Sequence, residues 1–341
     1  MNIFDKVDTL LLTTAEDRID ENFYYLAGIS KTKYVSATLI AKRNGRTVLT
    51  NRLEHGTFSG KKIIIENKKQ FVNVVKKNSG KTVGMNFNYV SANGLRRYEK
   101  ILKGTKIVDV SKELGEARAI KNGAEIKKIK EACRITLNVF DDIDRLLKKS
   151  RTERDLALEM RYAAIKNGAE DIAYPTIVAA GRNAALPHHA SGNNKIIKGI
   201  LLIDFGVIYD GYCSDITRTF SIGVPDKKAK HIYDIVYRAQ QAGIGKMKSG
   251  SKSSEPHAAS DAVLKNLGQQ LIHAFGHGIG IQVHDYPGVL ATKSNFMLKK
   301  NMVFTAEPGY YNRTWGGVRI EDDIVIGRGA LTKAPKDLLI V

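Results

Sequence analysis

Short apolar runs recur along the first third of the chain, at 7-13, 34-41, 47-50, 62-65, 82-86 and 106-110, each about as long as a strand. With the helical intervals between them, they predict a compact α/β or mixed-sheet unit. Asn44-Gly45, between LIAKR and RTVLT, predicts a hairpin, because both residues tolerate the positive φ of a tight turn. No convergent chemical motif lies in this stretch, so structural support is its expected role, with residues near Arg52 to His55 placed to reach a neighbouring site.

The pattern changes near residue 112. Ile126, Ile129, Cys133, Thr136, Phe140, Ile143 and Leu147 recur near the helical period and predict one amphipathic helix over 123-149, with Cys133 as core rather than nucleophile. Thr152, followed three residues later by Asp155, marks the start of a second helix over 153-166. Its inner stripe is Leu156, Met160 and Ala163.

Beyond residue 175, charged groups lie inside apolar, strand-like segments. Asp204 sits in LLIDFGV and Asp215 follows 11 residues later, the two probable strands being joined through Asp210-Gly211. If those strands pair as a hairpin, the two carboxylates converge from neighbouring strands. His277 and His284 lie in FGHGIGIQVHD among glycines that allow close backbone approach. Glu307 lies in FTAEPGY and Glu321 in GGVRIEDDIVI. A carboxylate in such a setting is costly unless it is paired, hydrogen-bonded or metal-bound. Four carboxylates and an imidazole make a coherent ligand set for two divalent ions. Buried salt-bridged acids with structural histidines account equally for the spacing alone. No HExxH motif is present, and Cys133 and Cys213 are too far apart for a close-spaced metal or redox pair.

Composition narrows the class. With 43% hydrophobic and 26% charged residues, the 341-residue chain reads as a soluble globular protein of one large or two moderate domains. The formal charge of +19 is able to attract nucleic acid, anionic membranes or acidic partners. Its excess comes as scattered pairs such as Lys61-Lys62 and Lys299-Lys300, without a base-reading motif, so an ordinary solvated surface is expected and no specific nucleic acid. No apolar run reaches the roughly 20 residues needed to cross a bilayer. A cytoplasmic protein without membrane attachment is the expectation.

Residues Pro175 to Asp322 resemble the pita-bread metallopeptidases, the family of methionine aminopeptidases, Xaa-Pro aminopeptidases and Xaa-Pro dipeptidases (prolidases). The resemblance is carried by PTIVAAGRNAALPHH, LLIDFGVIYDGYCSDITRTF, FGHGIGIQVHD, MVFTAEPGY and GGVRIED, in that order. More loosely, an earlier domain joined through EARAIKNGAEIKKIKEA is similar to the Xaa-Pro dipeptidase and aminopeptidase architecture. The resemblance implies an α/β chain with an amino-terminal creatinase/prolidase-like domain at 1-112, a connector at 113-122 and a pita-bread α+β metallopeptidase domain at 123-341.

It further implies that Asp204 binds one metal, His277 and Glu307 the other, and that Asp215 and Glu321 bridge them. The two divalent ions, with Mn, Co and Zn as candidates, would activate a water for hydrolysis of Xaa-Pro dipeptides, Glu307 relaying the proton. His188 and His284 match positions that bind substrate or shuttle protons, and His189 is an exposed neighbour or a second pocket residue. Arg319, two residues before Glu321, would clamp a metal ligand or bind a substrate carboxylate, and Arg313 on a rim loop is the further carboxylate-binding candidate. Tyr212, Tyr286 and Tyr310 would line a proline pocket or simply pack. A homodimer is expected on the same grounds. Two positions depart from the family pattern: Asp285 stands where the dipeptidase-like pattern has Glu, and Asn301 where Gly is common. The alternative activities are an Xaa-Pro aminopeptidase acting on longer peptides, a methionine aminopeptidase, and a non-catalytic binding protein on the same fold.

Overall fold

The computed structural model describes residues 3–341 and divides the chain into two compact units, one ending at Arg118 and the other running from Ala119 to Val341. In the first unit, strands β1 (Thr9–Thr14), β2 (Ala37–Lys42), β3 (Gly45–Thr50), β4 (Lys62–Ile64), β5 (Thr82–Met85) and β6 (Lys106–Asp109) form one sheet in the order β4-β3-β2-β1-β5-β6. Only β2 runs against the others. Helices α1 (Glu21–Ala27) and α4 (Ser111–Ala119) cover one face, and α2 (Lys68–Asn78) and α3 (Ala92–Ile101) the other.

This double cover explains why the strand runs are continuously apolar. Leu10 and Leu12 pack with Phe23, Tyr24 and Leu114, whereas Leu11 points the other way, to Ile40, Leu49, Val75 and Ile101. Side chains alternate between faces, and here both faces are buried. The expected β2–β3 hairpin forms, but Lys42 pairs with Gly45, so Arg43 and Asn44 make the turn. Neither Asn44 nor Gly45 has a positive φ.

In the second unit, Asn122 and Glu125 form a reciprocal cap on α5 (Gly123–Asp141). The single helix expected over 123-149 is two, because the backbone leaves the helix at Asp142 before α6 (Ile143–Leu147). Asp141 and Asp142 put negative charge at a helix carboxyl end, where the dipole opposes it. Ile143 and Leu146 stay buried past the break, so the apolar period runs on through it. Helix α7 (Glu153–Lys166) carries the expected Thr152–Asp155 cap.

Strands β7 (Asp171–Ile172), β8 (Ile177–Ala180), β9 (Gly199–Phe205), β10 (Val207–Tyr209), β11 (Tyr212–Cys213) and β12 (Ile216–Ile222) follow in the chain. The long antiparallel pair is β9 with β12, placing Asp204 opposite Thr217. Nested between them, β10 and β11 turn at Asp210 and Gly211, with φ of 45° and 79°. Leu201, Ile203 and Phe205 bury one face of this sheet under α5 and α7, while Ile200 and Leu202 bury the other under α8 (Lys227–Ile244).

A second sheet takes β13 (Gly276–Gly278), β14 (Asp285–Leu290), β15 (Val303–Ala306), β18 (Asp322–Val325) and β19 (Gly329–Ala330) in the order β14-β13-β15-β18-β19. A separate hairpin pairs β16 (Gly309–Asn312) with β17 (Gly316–Arg319). A Cβ on Gly276 would stand 1.9 Å from the Thr305 carbonyl oxygen, so a side chain there would push β13 off β15. Asn301, before β15, adopts φ of 68°, which explains how Asn serves where glycine is common in the family pattern.

The two sheets are joined by a buried ion pair. Arg218 of β12 reaches Asp322 of β18 at 2.8 Å and donates to the Glu321 carbonyl, while Asp322 also accepts from Thr332, Gln240 and the Ala334 amide. Arg218→Met would leave Asp322 buried without its cation. Urea denaturation is expected to show a loss of about 3–5 kcal/mol. A loss below about 1 kcal/mol would mean that the pair does not join the sheets energetically.

Candidate metal centre

Asp215, His277 and Glu321 offer one ligand atom each within 4.8 Å of one another, and all three are buried. Asp215 enters just before β12, His277 is central in β13, and Glu321 lies between β17 and β18. The amide of Glu321 donates to the Thr217 carbonyl at 3.1 Å, so main-chain bonding across the two sheets sets its position. Glu307 joins the group from the end of β15, its Oε1 lying 3.4 Å from Nε2 of His277, which is also 3.4 Å from Asp215. Asp204 joins through Tyr174, whose hydroxyl is 2.6 Å from Asp204 and in contact with Asp215.

Neutral donors orient these carboxylates. Thr217 Oγ1 donates to Glu321 at 2.7 Å, and Thr305 Oγ1 donates to Glu307 at 3.2 Å. The one guanidinium in the group is Arg319: its Nη2 holds Asp204 at 2.8 Å, its Nε donates to Thr217 at 3.0 Å, and its Nη1 donates to Tyr311 at 2.9 Å. Arg319 is thus a clamp on a candidate ligand, with protein acceptors on all three nitrogens.

Positive charge is short. Burial pushes Asp204 up to about 6 against the pull of Arg319, and burial pushes Glu307 up to about 7 despite His277 and Arg319. Glu321 is raised well above the carboxylate range by burial and by Asp215, Glu307 and Asp204. Burial alone would lower His277, but Asp215 and Glu307 hold it up at about 9. Several oxygen donors and one imidazole nitrogen, desolvated and undercompensated, fit a hard or borderline divalent cation.

The remaining expected residues lie at the margin or outside. The His284 ring meets His277 edge-on with centroids 4.2 Å apart, and burial with the His277 charge holds it below the ordinary imidazole value. His188 is exposed, next to Pro187, whose carbonyl accepts from Arg319 at 3.4 Å. Arg313 is exposed in the β16–β17 turn and pairs with no carboxylate among the described residues. Tyr212 donates to Glu125, and Tyr310 packs beside Trp315.

Three supporting residues were not anticipated. Tyr174 joins Asp204 to Asp215, as described. Asp323 accepts the Asp215 amide at 3.1 Å and the Cys133 thiol at 3.2 Å, and burial with the Asp215 charge pushes it up to about 8. Glu153, fully buried, accepts from the Ala180 amide, Asn183 and Asn194, and binds His189 at 2.8 Å, tying down the segment that carries His188.

Residues 127–328 match the metallopeptidase family M24, and residues 5–120 match the creatinase/prolidase N-terminal domain. The chain belongs to the M24 metallopeptidases. This M24 chain is 35% identical over 258 residues to the Xaa-Pro dipeptidase of Pyrococcus furiosus, covering 74% of the chain and 73% of that relative. Its fold superposes on the X-Pro aminopeptidase from Thermotoga maritima with a TM-score of 0.92 at 28% identity, covering 98% of each chain. The Xaa-Pro dipeptidase from Bacillus anthracis follows with a TM-score of 0.88 at 30% identity, covering 99% of this chain and 97% of that one.

Two outcomes test the centre. In the metal-free M24 chain the shifts share one sign: Asp204 rises from 3.8 to about 6, Glu307 from 4.5 to about 7 and His277 from 6.5 to about 9. Each group binds its proton more tightly when folded, so its stabilising contribution is complete below the unfolded value and is lost as pH rises through the folded one. Thermal melts of chelated protein are expected to fall from about pH 4 to about pH 9, and divalent ions are expected to restore the loss near pH 8. A flat profile would contradict the shared burial of these groups. Separately, Asp215→Asn removes an anionic oxygen donor and should yield folded protein with less bound metal and almost no turnover. Full metal content and normal kinetics in that variant would exclude Asp215 from the centre.

Proposed function

We propose that this M24 metallopeptidase hydrolyses the bond between an amino acid and a following proline, dipeptides included, with two divalent ions held in the pocket. The convergence of Asp215, His277 and Glu321, with Glu307 and Asp204 in reach, carries this reading. Asp204, Asp215, His277, Glu307 and Glu321 would hold the ions, with Asp215 and Glu321 shared between them; Mn, Co and Zn all suit such donors. When bound, the ions supply Lewis acidity toward water and toward the scissile carbonyl oxygen.

The chain's own residues handle position and protons. Tyr174, Thr217 and Thr305 keep the carboxylate oxygens aimed, and Arg319 holds Asp204. Glu307 takes a proton from the attacking water at Oε1 and returns it to the proline nitrogen, which leaves as a secondary amine. His284, beside His277, and His188, on the segment pinned by Glu153, position the substrate and carry protons at their ring nitrogens.

Dipeptide hydrolysis agrees with the Pyrococcus furiosus relative, and Arg313, exposed in the β16–β17 turn and without an ion-pair partner among the described residues, is the candidate cation for a terminal carboxylate. The saturation of Arg319 favours a second reading, an aminopeptidase acting on longer peptides, because a dipeptide then lacks a buried cation for its carboxylate.

Gly-Pro, Ala-Pro and Met-Pro, assayed beside Xaa-Pro-Yaa peptides, separate the two. Turnover of the dipeptides, with KM raised by Arg313→Gln, is the expected result; cleavage of the longer peptides alone would select the aminopeptidase. Chelation should abolish either activity. His284→Ala is expected to keep its metal and to lose about 10²- to 10⁴-fold in kcat. Loss of metal from folded His284→Ala would place that ring among the ligands instead.

A further inference from the structure

Basic residues are unevenly placed in the first unit. Residues 61–106 hold 12 of the chain's 54 lysines and arginines but only two of its 35 acids, Glu66 and Glu99, so this stretch carries a net +10 of the formal +19. It comprises β4, α2, β5, α3 and β6. Lys6, Arg43, Arg52 and Lys112 hold ion pairs in this unit; among the described residues no cation of the stretch does.

The topology gathers half of these cations at one edge. Strands β1, β5 and β6 run parallel, so α2 and α3 end, and β5 and β6 begin, at the amino-terminal edge of the sheet. Lys76 and Lys77 lie in the last turn of α2, Lys100 in that of α3, Lys81 directly before β5, Lys103 in the loop to β6 and Lys106 at its first residue. All six are exposed. The acids at this edge are Glu99, beside Lys100, and Asp8, before β1, which accepts from the Thr82 amide and hydroxyl. Neighbouring helix ends and strand starts stand about 5–10 Å apart, comparable to the screening length of about 8 Å at physiological salt, so the six charges act as one field.

A lysine at a helix carboxyl end has an ordinary explanation, since it complements the dipole. Lys81, Lys103 and Lys106 lie outside the helices, where that explanation does not reach.

What this edge lacks narrows the partner. The large apolar side chains exposed in the unit, among the described residues, are Tyr34, Leu53 and Phe87, all at the opposite edge. Tyr34 precedes β2, which runs against β1, while Leu53 and Phe87 follow β3 and β5. The lysine edge therefore offers nothing to insert into a bilayer and no ring to stack on an unpaired base. Flexible ammonium groups without apolar or aromatic companions suit a regular row of phosphates.

We propose that this edge binds the phosphate backbone of a nucleic-acid duplex without reading its sequence. The six lysines take neighbouring phosphates, and release of counterions from the duplex drives binding. The surface belongs to the first unit alone and does not depend on the peptidase reading.

Fluorescence anisotropy of the full chain with mixed-sequence DNA and RNA duplexes of about 20 base pairs, over about 50 to 200 mM salt, tests the proposal. Duplex should bind at low salt with a log–log salt slope of about −4, as for four or five neutralised phosphates, and the tighter of the two duplexes identifies the natural backbone. Lys81→Gln combined with Lys103→Gln leaves both helices untouched. This pair should reduce the slope by about 2 and weaken binding about tenfold or more at about 100 mM salt, with an unchanged melting temperature. Lys333→Gln combined with Lys336→Gln removes the same charge from the second unit and should leave affinity within about twofold. Equal weakening by both pairs would assign the attraction to net charge and overturn the edge. Absence of duplex binding at about 50 mM salt would overturn the proposal outright. Retention on phosphatidylserine vesicles that is lost in the Lys81 and Lys103 variant, and that neither duplex competes away, would make an anionic membrane the partner instead.

Discussion

Four carboxylates, two buried and two half-buried, gathered against one guanidinium and one imidazole form the constraint on which the second unit depends. Burial and the neighbouring carboxylates, Asp215 among them, raise the proton affinity of Asp204, Glu307 and Glu321, and Arg319 and His277 offset only part of that charge. The polypeptide alone must either retain protons or strain the site, and a divalent cation resolves both. This explains why the surrounding donors are hydroxyls and not further cations. Tyr174, Thr217 and Thr305 orient oxygens without neutralising them, so the field that attracts a metal is preserved.

Strand pairing produces that concentration of charge from residues far apart in the chain. Asp204 lies on β9 and Asp215 precedes β12, its partner strand, while Glu307 and Glu321 follow β15 and precede β18 in another antiparallel pair. The two pairs meet where the Glu321 amide donates to the Thr217 carbonyl, and next to it Thr219 Oγ1 donates to the Arg319 carbonyl of β17 at 2.8 Å. Arg218–Asp322 closes the same seam. The candidate ligand residues therefore sit at a sheet junction whose main-chain bonding limits their movement, a precondition for a fixed metal geometry.

Much of this was legible because the cost of burying charge is local in sequence. Asp204 inside LLIDFGV and Glu321 inside VRIEDDIVI announce themselves by their neighbours. Strand runs in the first unit were equally plain, since a sheet covered on both faces spells continuous apolar segments. What stayed hidden has opposite causes. Asp323 follows Glu321 so closely that one buried acid masks another, and its contacts are to Cys133 and the Asp215 amide, distant in the chain. Tyr174 reads as an ordinary aromatic before a proline. The break at Asp142 leaves the apolar period intact, so a periodicity argument passes over it. The β2–β3 turn was placed one residue late because Asn-Gly suggests positive φ that the observed backbone does not use.

Glu153 shows why a residue can be masked by a second sufficient explanation. An acidic side chain at the first position of α7 complements the helix dipole, which is reason enough for it to be there. Yet Glu153 is fully buried, where a dipole complement needs no burial. Burial opposes its ionisation, but the Ala180 amide, Asn183, His189 and Asn194 together hold it below the usual carboxylate range. Its donors are the amide of Ala180, the last residue of β8, and three side chains from the stretch between β8 and β9, which lacks regular strand pairing of its own. One buried anion thus supplies the order that sheet bonding cannot supply there. His189 is consumed in that network, which leaves the adjacent His188 as the ring of the pair still exposed and able to meet a substrate.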